Sequence, residues 1–494
     1  MQIPLLILLP LVAGLVSFFI RSDVVRRGLY LTVAVAHTAA VVWIWVEPPP
    51  PLLEGWVALD DLGRLFLGIS SLLFMLAAFY TVGYLQRESS RAHRDFEEGF
   101  AFRNEPEAVF TGLLLLFLSA MTFVTVCQHF GLLWVAIEAT TLVSAPLIYF
   151  HRQHRSLEAT WKYLLLCSVG IALSLLGNFV LAVAAIPTAD AHDNEIPLLV
   201  SRLCEDAAKL DVMWLRTAFV LLLVGYGTKA GLAPMHNWKP DVYSEAPSAV
   251  TALFSGGLAN LALLGILRAH QVLLAAGQEK FCSQLLILFG LVSLVVAAAF
   301  VIGQTDFKRM LAYSSVEHIG FIVLGVGIGG DGRFGALLHA VNHSITKAMM
   351  FFLAGNILAA FGTKNSREIQ GLRSVLPATA ALWLMGLLSI TGSPPFGMFI
   401  SELTILRAAF DRGMPLVAVV TMLLLLIIFV GMSITVWRMH FGEPGHIRPR
   451  PIRETWTMLG PPIVLACLMV LLGLYIPPFL KLTLQQAALS LGGV

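Results

Sequence analysis

Apolar stretches of about 20 residues recur from the N-terminus almost to the end of the chain, and that is the length a helix needs to cross a bilayer. The pattern predicts about fourteen such helices, over roughly 3–20, 28–46, 62–84, 108–127, 130–150, 160–186, 213–231, 247–270, 281–303, 310–328, 333–361, 376–392, 414–438 and 457–476. Short further helical pieces are expected near about 235–244 and 396–410, each separated by a break from the helix before it. No polar stretch is long enough for a separate soluble domain. The fold expected is an all-α polytopic membrane protein.

Two of these segments are interrupted by small residues and proline. The first is Gly225-Tyr-Gly-Thr-Lys-Ala-Gly-Leu-Ala-Pro234, broken at Gly231 and Pro234; the second is Thr391-Gly-Ser-Pro-Pro-Phe-Gly397, broken at Pro394 and Pro395. Each break strips backbone groups of their helical partners, which hydrocarbon does not tolerate unless protein or a water-filled cavity replaces them. Broken helices therefore mark a polar path. The breaks fall in the seventh and twelfth helices, and an odd offset turns the second copy upside down, which is the inverted repeat many transporters use to build ion sites. The division expected is an N-terminal three-helix segment (1–107), a first unit of helices 4–8 (108–270), a second of helices 9–13 (271–440) and helix 14 (441–494).

Composition supports a bilayer as solvent: of 494 residues 57% are hydrophobic and 13% charged, where a soluble domain carries about 25% charged residues. The net charge of +2 and the lack of a basic tract interleaved with aromatics argue against a nucleic-acid partner. Cys127, Cys167, Cys204, Cys282 and Cys467 are too scattered for a C-x-x-C or iron–sulfur pattern, so no metal or cofactor site is assigned to this chain. Met1–Ile20 lacks a basic start and a small-residue cleavage site, and Arg21, Arg26 and Arg27 follow it, so it reads as the first membrane helix. Loops after odd-numbered helices hold most of the Lys and Arg, among them Arg91, Arg152, Arg155, Lys239, Lys308, Arg309, Lys364 and Arg448. The other set holds the acidic segment around Asp190, Asp193 and Glu195. The positive-inside rule then puts the odd loops in the cytoplasm and both termini outside.

Seven ionisable residues stand inside apolar segments: Glu138, Lys162, Lys229, His318, His343, Lys347 and Glu402. Burying each Lys or acid costs roughly 2.5–3.5 kcal/mol even on lenient scales, which argues against idle retention. Glu138, in Trp134-Val-Ala-Ile-Glu, has no charged neighbour in sequence; it is either functional or a structural acid held by hydroxyls such as Thr140 or Thr141. Lys229 precedes the first break and can approach Glu138 from the neighbouring helix, as a pair that responds to protons or as a static ion pair. Lys162 lies near a helix start and either joins the path or snorkels to the interface. His339, His343 and Lys347 are spaced by four and share one helix face. Histidine both accepts and donates protons near neutral pH, so this ladder suits a relay, with His339 the member closest to a structural role. Glu317 and His318 point about 100° apart on their helix, and His318 is the one assigned to the path, with Glu317 as its partner or as an inter-helix link. Glu402 follows the second break as the counterpart of Lys229 in the repeat; the alternative is an acid favoured by the dipole of the short helix it begins.

These residues carry a resemblance. The Glu138 helix, Lys229-Ala-Gly-Leu-Ala-Pro-Met-His-Asn-Trp-Lys-Pro-Asp241, Ser314-Ser-Val-Glu-His-Ile-Gly320, His343-Ser-Ile-Thr-Lys347 and Ser393-Pro-Pro-Phe-Gly-Met-Phe-Ile-Ser-Glu402 resemble the antiporter-like proton-channel subunits of respiratory complex I, multisubunit cation/proton antiporters and membrane-bound nickel–iron hydrogenases. Trp161-Lys-Tyr-Leu-Leu-Leu166, His236-Asn-Trp-Lys-Pro-Asp-Val-Tyr-Ser-Glu-Ala-Pro-Ser248 and Ser315-Val-Glu-His-Ile-Gly320 look most like hydrogenase-4 component F and related subunits. The resemblance implies fourteen helices with two inverted five-helix units and a Glu–Lys pair that responds to redox chemistry elsewhere. Family members with a bridging Lys in helix 8 carry it where this chain has Asn260, and Asn cannot take up and release a proton, although it can hold a water; either water and Asn260 bridge the halves or another side chain has taken the role, and the long lateral helix of some relatives is expected to be absent.

The function expected is that of a non-catalytic, proton-translocating membrane subunit of an oxidoreductase complex in a prokaryotic cytoplasmic (inner) membrane. Other membrane subunits and a peripheral redox arm would be its partners. A nickel–iron centre, iron–sulfur clusters or quinone would lie only in partner subunits. The alternative is a subunit of a multisubunit sodium/proton antiporter without a redox partner, moving protons or sodium.

Overall fold

The computed structural model describes residues 2–87, 93–94, 99, 101–188, 198–442, 449–450 and 452–492; Arg91, Asp190, Asp193, Glu195 and Arg448 of the charge argument lie outside them. The chain opens with α1 (Gln2–Ser17), α2 (Asp23–Val46), α3 (Asp61–Arg87), a two-residue hairpin of β1 (His93–Arg94) and β2 (Ala101–Phe102), and α4 (Glu107–Val126). There follow α5 (Phe130–Ile148), α6 (His154–Ala185), the short α7 (Val200–Glu205), α8 (Val212–Ala230) and α9 (Trp238–Glu245). A single long segment is built from α10 (Ser248–Leu253), a π-helical turn over Phe254–Leu258 and α11 (Ala259–Ala275). The second half holds α12 (Glu279–Val301), α13 (Phe307–Ile328), α14 (Asp331–Phe361), α15 (Leu372–Val375), α16 (Pro377–Ile390), α17 (Gly397–Asp411) and α18 (Pro415–His440), and α19 (Trp456–Leu474) and α20 (Pro478–Ser490) close the chain.

A helix occupies every stretch the hydrophobic pattern marks, and the pieces after the two breaks are α9 and α17. By length and composition eleven helices among the described residues are able to cross a membrane, with α1 and α16 as shorter apolar helices. The remaining predicted span, α8, is diluted by Arg216 and Lys229. Sequence reading missed α20, whose signal is Pro478 at the first helical turn, where its missing N–H does no harm.

Central and peripheral helices differ sharply in exposure. Every residue in the most apolar window of Ser248–Ala275 is buried, against 28% for α18, so α10 and α11 lie at the centre and α18 presents Leu416, Leu423 and Leu426 to lipid. With no hydrophobic drive between helices in lipid, close approach depends on small residues. Where α6 crosses α8, Gly170, Ser174 and Gly177 face Gly225, Thr228 and Leu222. That crossing brings Tyr163 of α6 to Lys229 of α8. In the second half, α12 and α13 meet in the same manner, with the position of a Cβ on Gly290 lying 2.7 Å from the Gly320 carbonyl.

Candidate functional site

The end of α8 shows how a broken helix is tolerated. Gly231 caps it in the left-handed region at φ +80°, which glycine adopts without steric cost. The carbonyls this frees are taken up by the segment that folds back: the Trp238 indole N–H donates to Thr228 O at 2.8 Å, and Lys239 Nζ to Ala230 O at 2.9 Å. At the second break Gly392 takes the same role at φ +64°, and Asn342 of α14 donates to Gly397 O at 2.8 Å. Ala233–Pro234 and Pro394–Pro395 are both cis.

Around the first break, one connected set of side chains spans α5, α6 and α8. Glu138, Thr141 and Ser144 repeat every three residues on α5 and so share a face. Lys229 Nζ donates to Thr141 Oγ1 at 2.7 Å and to Tyr163 Oη at 2.6 Å. Thr141 in turn donates to Glu138 Oε2 at 3.0 Å, and Tyr163 shares a hydrogen bond of 2.8 Å with Ser144. Glu138 and Lys229 are therefore joined through a hydroxyl rather than as the direct pair the sequence suggested; no ion pair forms between them. A threonine can accept on one side while donating on the other, so it can pass a proton that a direct ion pair would hold.

The second cluster lies between α13, α14 and α17. His339, His343 and Lys347 do line one face of α14, and all are fully buried. His318 Nδ1 hydrogen-bonds His339 Nε2 at 3.1 Å, and His339 Nδ1 hydrogen-bonds Ser401 Oγ at 2.9 Å. The His343 ring centroid lies 5.3 Å from that of His318. Lys347 Nζ donates to Leu311 O at 2.8 Å, with the buried Glu317 near enough to act on its charge. Glu317 Oε2, His318 Nε2 and both His343 nitrogens are buried without a protein hydrogen-bond partner. Buried polar atoms in such a state call for water.

Three sequence readings change. His339, read as the most structural of the ladder, is the link between His318 and Ser401, because it faces both α13 and α17. Lys162 is off the line: Tyr163 points inward from α6, so its neighbour turns outward, and its 44%-exposed side chain pairs with Glu158 at 2.7 Å and Asp241 at 2.8 Å. Glu402 does not correspond to Lys229. The offset that lays Gly231 on Gly392 and Pro234 on Pro395 lays Asp241 on Glu402 and Lys229 on Ile390. Replacing Lys162 with Ala should change stability by less than about 1 kcal/mol, as for an exposed pair, and leave ion transport unaltered; transport assays in membrane vesicles check this.

His318, His339 and Glu402 bring one donor atom each to within 4.8 Å of one another, the one such group found among the described residues. As arranged, the His318–His339 hydrogen bond occupies the two nitrogens that face each other. The five cysteines are free.

Asn260 sits at the junction of the halves. Its amide donates to Gly256 O at 2.9 Å and to Ser344 Oγ at 2.7 Å, beside His343. The π-helical turn before it carries Ser255, which shares a hydrogen bond of 2.9 Å with Ser315. Ser315 and Lys347 both donate to Leu311 O.

Sequence reading missed several members. Tyr163 and Ser401 are silent because a hydroxyl in an apolar helix is common; Thr141, named as a hydroxyl able to hold Glu138, does so and also meets Lys229. Lys239, Lys308 and Lys364 were counted with the loops, yet all three are buried. Lys308 donates to Ser244 O and Ala246 O, and Lys364 pairs with Glu245 at 2.6 Å. Lys364 lines a polar cavity of about 640 Å³, with Arg155, Glu245, Asp306 and Arg309 among its other lining residues, and Lys308 stands behind Glu245. The cavity opens on the face of the odd-numbered loops.

Residues 127–428 match the family pattern described as "NADH:quinone oxidoreductase/Mrp antiporter, TM". A hydrogenase-4 component F homolog from Methylacidiphilum infernorum (isolate V4) is 32% identical over 473 residues, covering 96% of this chain and 96% of that protein. A chain in the structure of the membrane-bound sulfane sulfur reductase, an archaeal respiratory membrane complex, superposes with a TM-score of 0.85 at 22% identity, covering 99% of this chain and 98% of that one. A chain of the Mrp complex from Dietzia sp. DQ12-45-1b does so with a TM-score of 0.82 at 20% identity, covering 98% and 97%. At those identities the two structures speak for the fold alone.

Proposed function

The chain belongs to the NADH:quinone oxidoreductase/Mrp antiporter transmembrane family, and from that premise we propose that it translocates protons as an antiporter-like subunit of a membrane-bound redox complex. It is a multi-span membrane protein built as an antiporter-like subunit of the complex I and membrane-bound hydrogenase family. The observation that carries the proposal is the pair of hydrogen-bonded clusters at the two helix breaks, one running from the half-buried Glu138 through Thr141 to the buried Lys229 and Tyr163, and one on His318–His339–Ser401 beside Glu402.

Protons enter the first half near Glu138 and Lys229, cross beside α14 and leave by Glu402. Each hand-over needs a group that both accepts and donates, which hydroxyl, imidazole, carboxyl and amine supply. Charge movement at one cluster alters the field at the next, because the intervening medium is low in dielectric. Helices 4–8 and 9–13 form the two inverted units, and Gly231 and Gly392 mark their matching breaks. The partners are other membrane subunits and a peripheral redox arm. The arm carries the electron-transfer groups, a nickel–iron centre, iron–sulfur clusters or quinone; no step on those groups involves residues of this chain. The membrane is the prokaryotic cytoplasmic (inner) membrane, with both termini on its outer side.

The second reading, a multisubunit sodium/proton antiporter without a redox arm, draws support from the family pattern matched by residues 127–428, whose description includes the Mrp antiporter. The near full-length match to a hydrogenase-4 component F homolog favours the redox assembly. Glu138→Gln, assayed in the intact complex in sealed vesicles, is the test. Proton translocation should fall by roughly tenfold or more, in keeping with the loss of an obligatory proton-transfer group, while undiminished pumping would sink the assigned role.

A further inference from the structure

Asn260 leaves the two half-paths without a titratable group between them. Both of its amide protons are engaged, by Gly256 O and Ser344 Oγ, and an amide exchanges no proton on the path. Of the buried lysines that neither cluster uses, Lys308 is held by two carbonyls and Lys364 by Glu245, which leaves Lys239. Lys239 lies on α9, the half-helix beyond the first break, with no exposed surface. Its ammonium donates to the carbonyl of Ala230, the residue next to Lys229, at 2.9 Å. It lies 5.6 Å from the centroid of the Tyr243 ring, and no carboxylate pairs with it among the described residues. On its other side α9 packs on α13, and the Tyr243 ring of α9 meets Phe351 of α14, 5.5 Å between centroids, so the half-helix lies against both helices that carry the second cluster.

We propose that Lys239 is the proton carrier that joins the two half-paths, the role that Asn260 cannot fill. The proposal rests on the proton-translocating reading above. A lysine ammonium has three donor protons, and here one is given to Ala230. The other two are free for hand-over toward Lys229 on one side and the His318–His343–Lys347 group on the other. Held by one carbonyl and no counter-ion, the ammonium is not locked as Lys364 is by Glu245. Tyr243 Oη, buried without a hydrogen-bond partner, lies on the same half-helix, one turn along. The Ser255–Ser315 hydroxyl pair and the Leu311 carbonyl beyond it reach Lys347. The step is a proton transfer only: an N–H bond of Lys239 breaks, an N–H or O–H bond forms on the acceptor, and a proton from Lys229 restores the ammonium.

The competing role for Lys239 is a static cap on the end of α8, where the helix dipole favours a cation. Lys239→Gln and Lys239→Arg separate the two, because both keep an N–H donor for Ala230 while neither releases a proton readily. The intact complex in sealed vesicles is energised by its electron donor, and proton translocation and electron transfer are read together with the amount of subunit in the membrane. Both variants should assemble at normal abundance and lose proton translocation by roughly tenfold or more, the scale of a lost proton-transfer group. Translocation at the unmodified rate in either variant overturns the bridging role. If Glu138→Gln abolishes pumping while the Lys239 variants pump normally, only this inference fails; if Glu138→Gln is silent as well, the proton-translocating reading fails with it.

Discussion

Replacing Lys229 with Met is expected to stop proton translocation by the intact complex while leaving the subunit assembled in the membrane. The ammonium is the hub of the first cluster: it donates to Thr141 and to Tyr163, and through Thr141 it reaches Glu138. Met has nearly the same length and is tolerant of irregular cavities, so the α5–α6–α8 packing survives. Tyr163 keeps its hydrogen bond with Ser144, and Thr141 keeps Glu138. What is lost is the group that takes the proton onward in the proposed path. The drop should be roughly tenfold or more, and Lys229→Arg should not rescue it, since a guanidinium stays charged. Vesicle pumping measured beside electron transfer checks this; a Lys229→Met complex that pumps normally removes Lys229 from the path.

A second large effect is expected from Gly225→Val, through structure. Gly225 lies where α8 presses on α6, and a Cβ there would sit 2.7 Å from the Ser174 amide nitrogen, inside backbone that cannot step aside. Overpacking of this kind typically costs about 1–3 kcal/mol, and more where backbone must move. Separating the helices also pulls Tyr163 away from Lys229, one helical turn beyond Gly225. The expected result is less subunit in the membrane, a lower melting temperature of the detergent-solubilised complex, and poor pumping in what remains. Full abundance and unchanged melting would show that the α6–α8 crossing is looser than its geometry implies.

Both expectations rest on features of different legibility. The membrane helices were readable because apolar runs of spanning length have few other uses, and the breaks because glycine and proline have fixed backbone consequences. Glu138, Lys229 and the His339–His343–Lys347 ladder stood out because a charge in hydrocarbon must have a reason. Lys239 did not. In Asn237-Trp-Lys-Pro-Asp241 it counts among the loop cations, and only the packing of α9 against α6 and α13 buries it.

By itself the sequence determined the class of protein, the helix positions, the sites of the two breaks and most of the ionisable residues between them, because hydrophobic length and the cost of buried charge are local properties of the chain. The tertiary structure decided the connections. It put Thr141 between Glu138 and Lys229, made His339 a link and turned Lys162 out to Asp241. Those outcomes depend on which side each residue takes around its helix and on how closely neighbouring helices cross. Residues far apart in the chain settle that together, and no single stretch of sequence carries it.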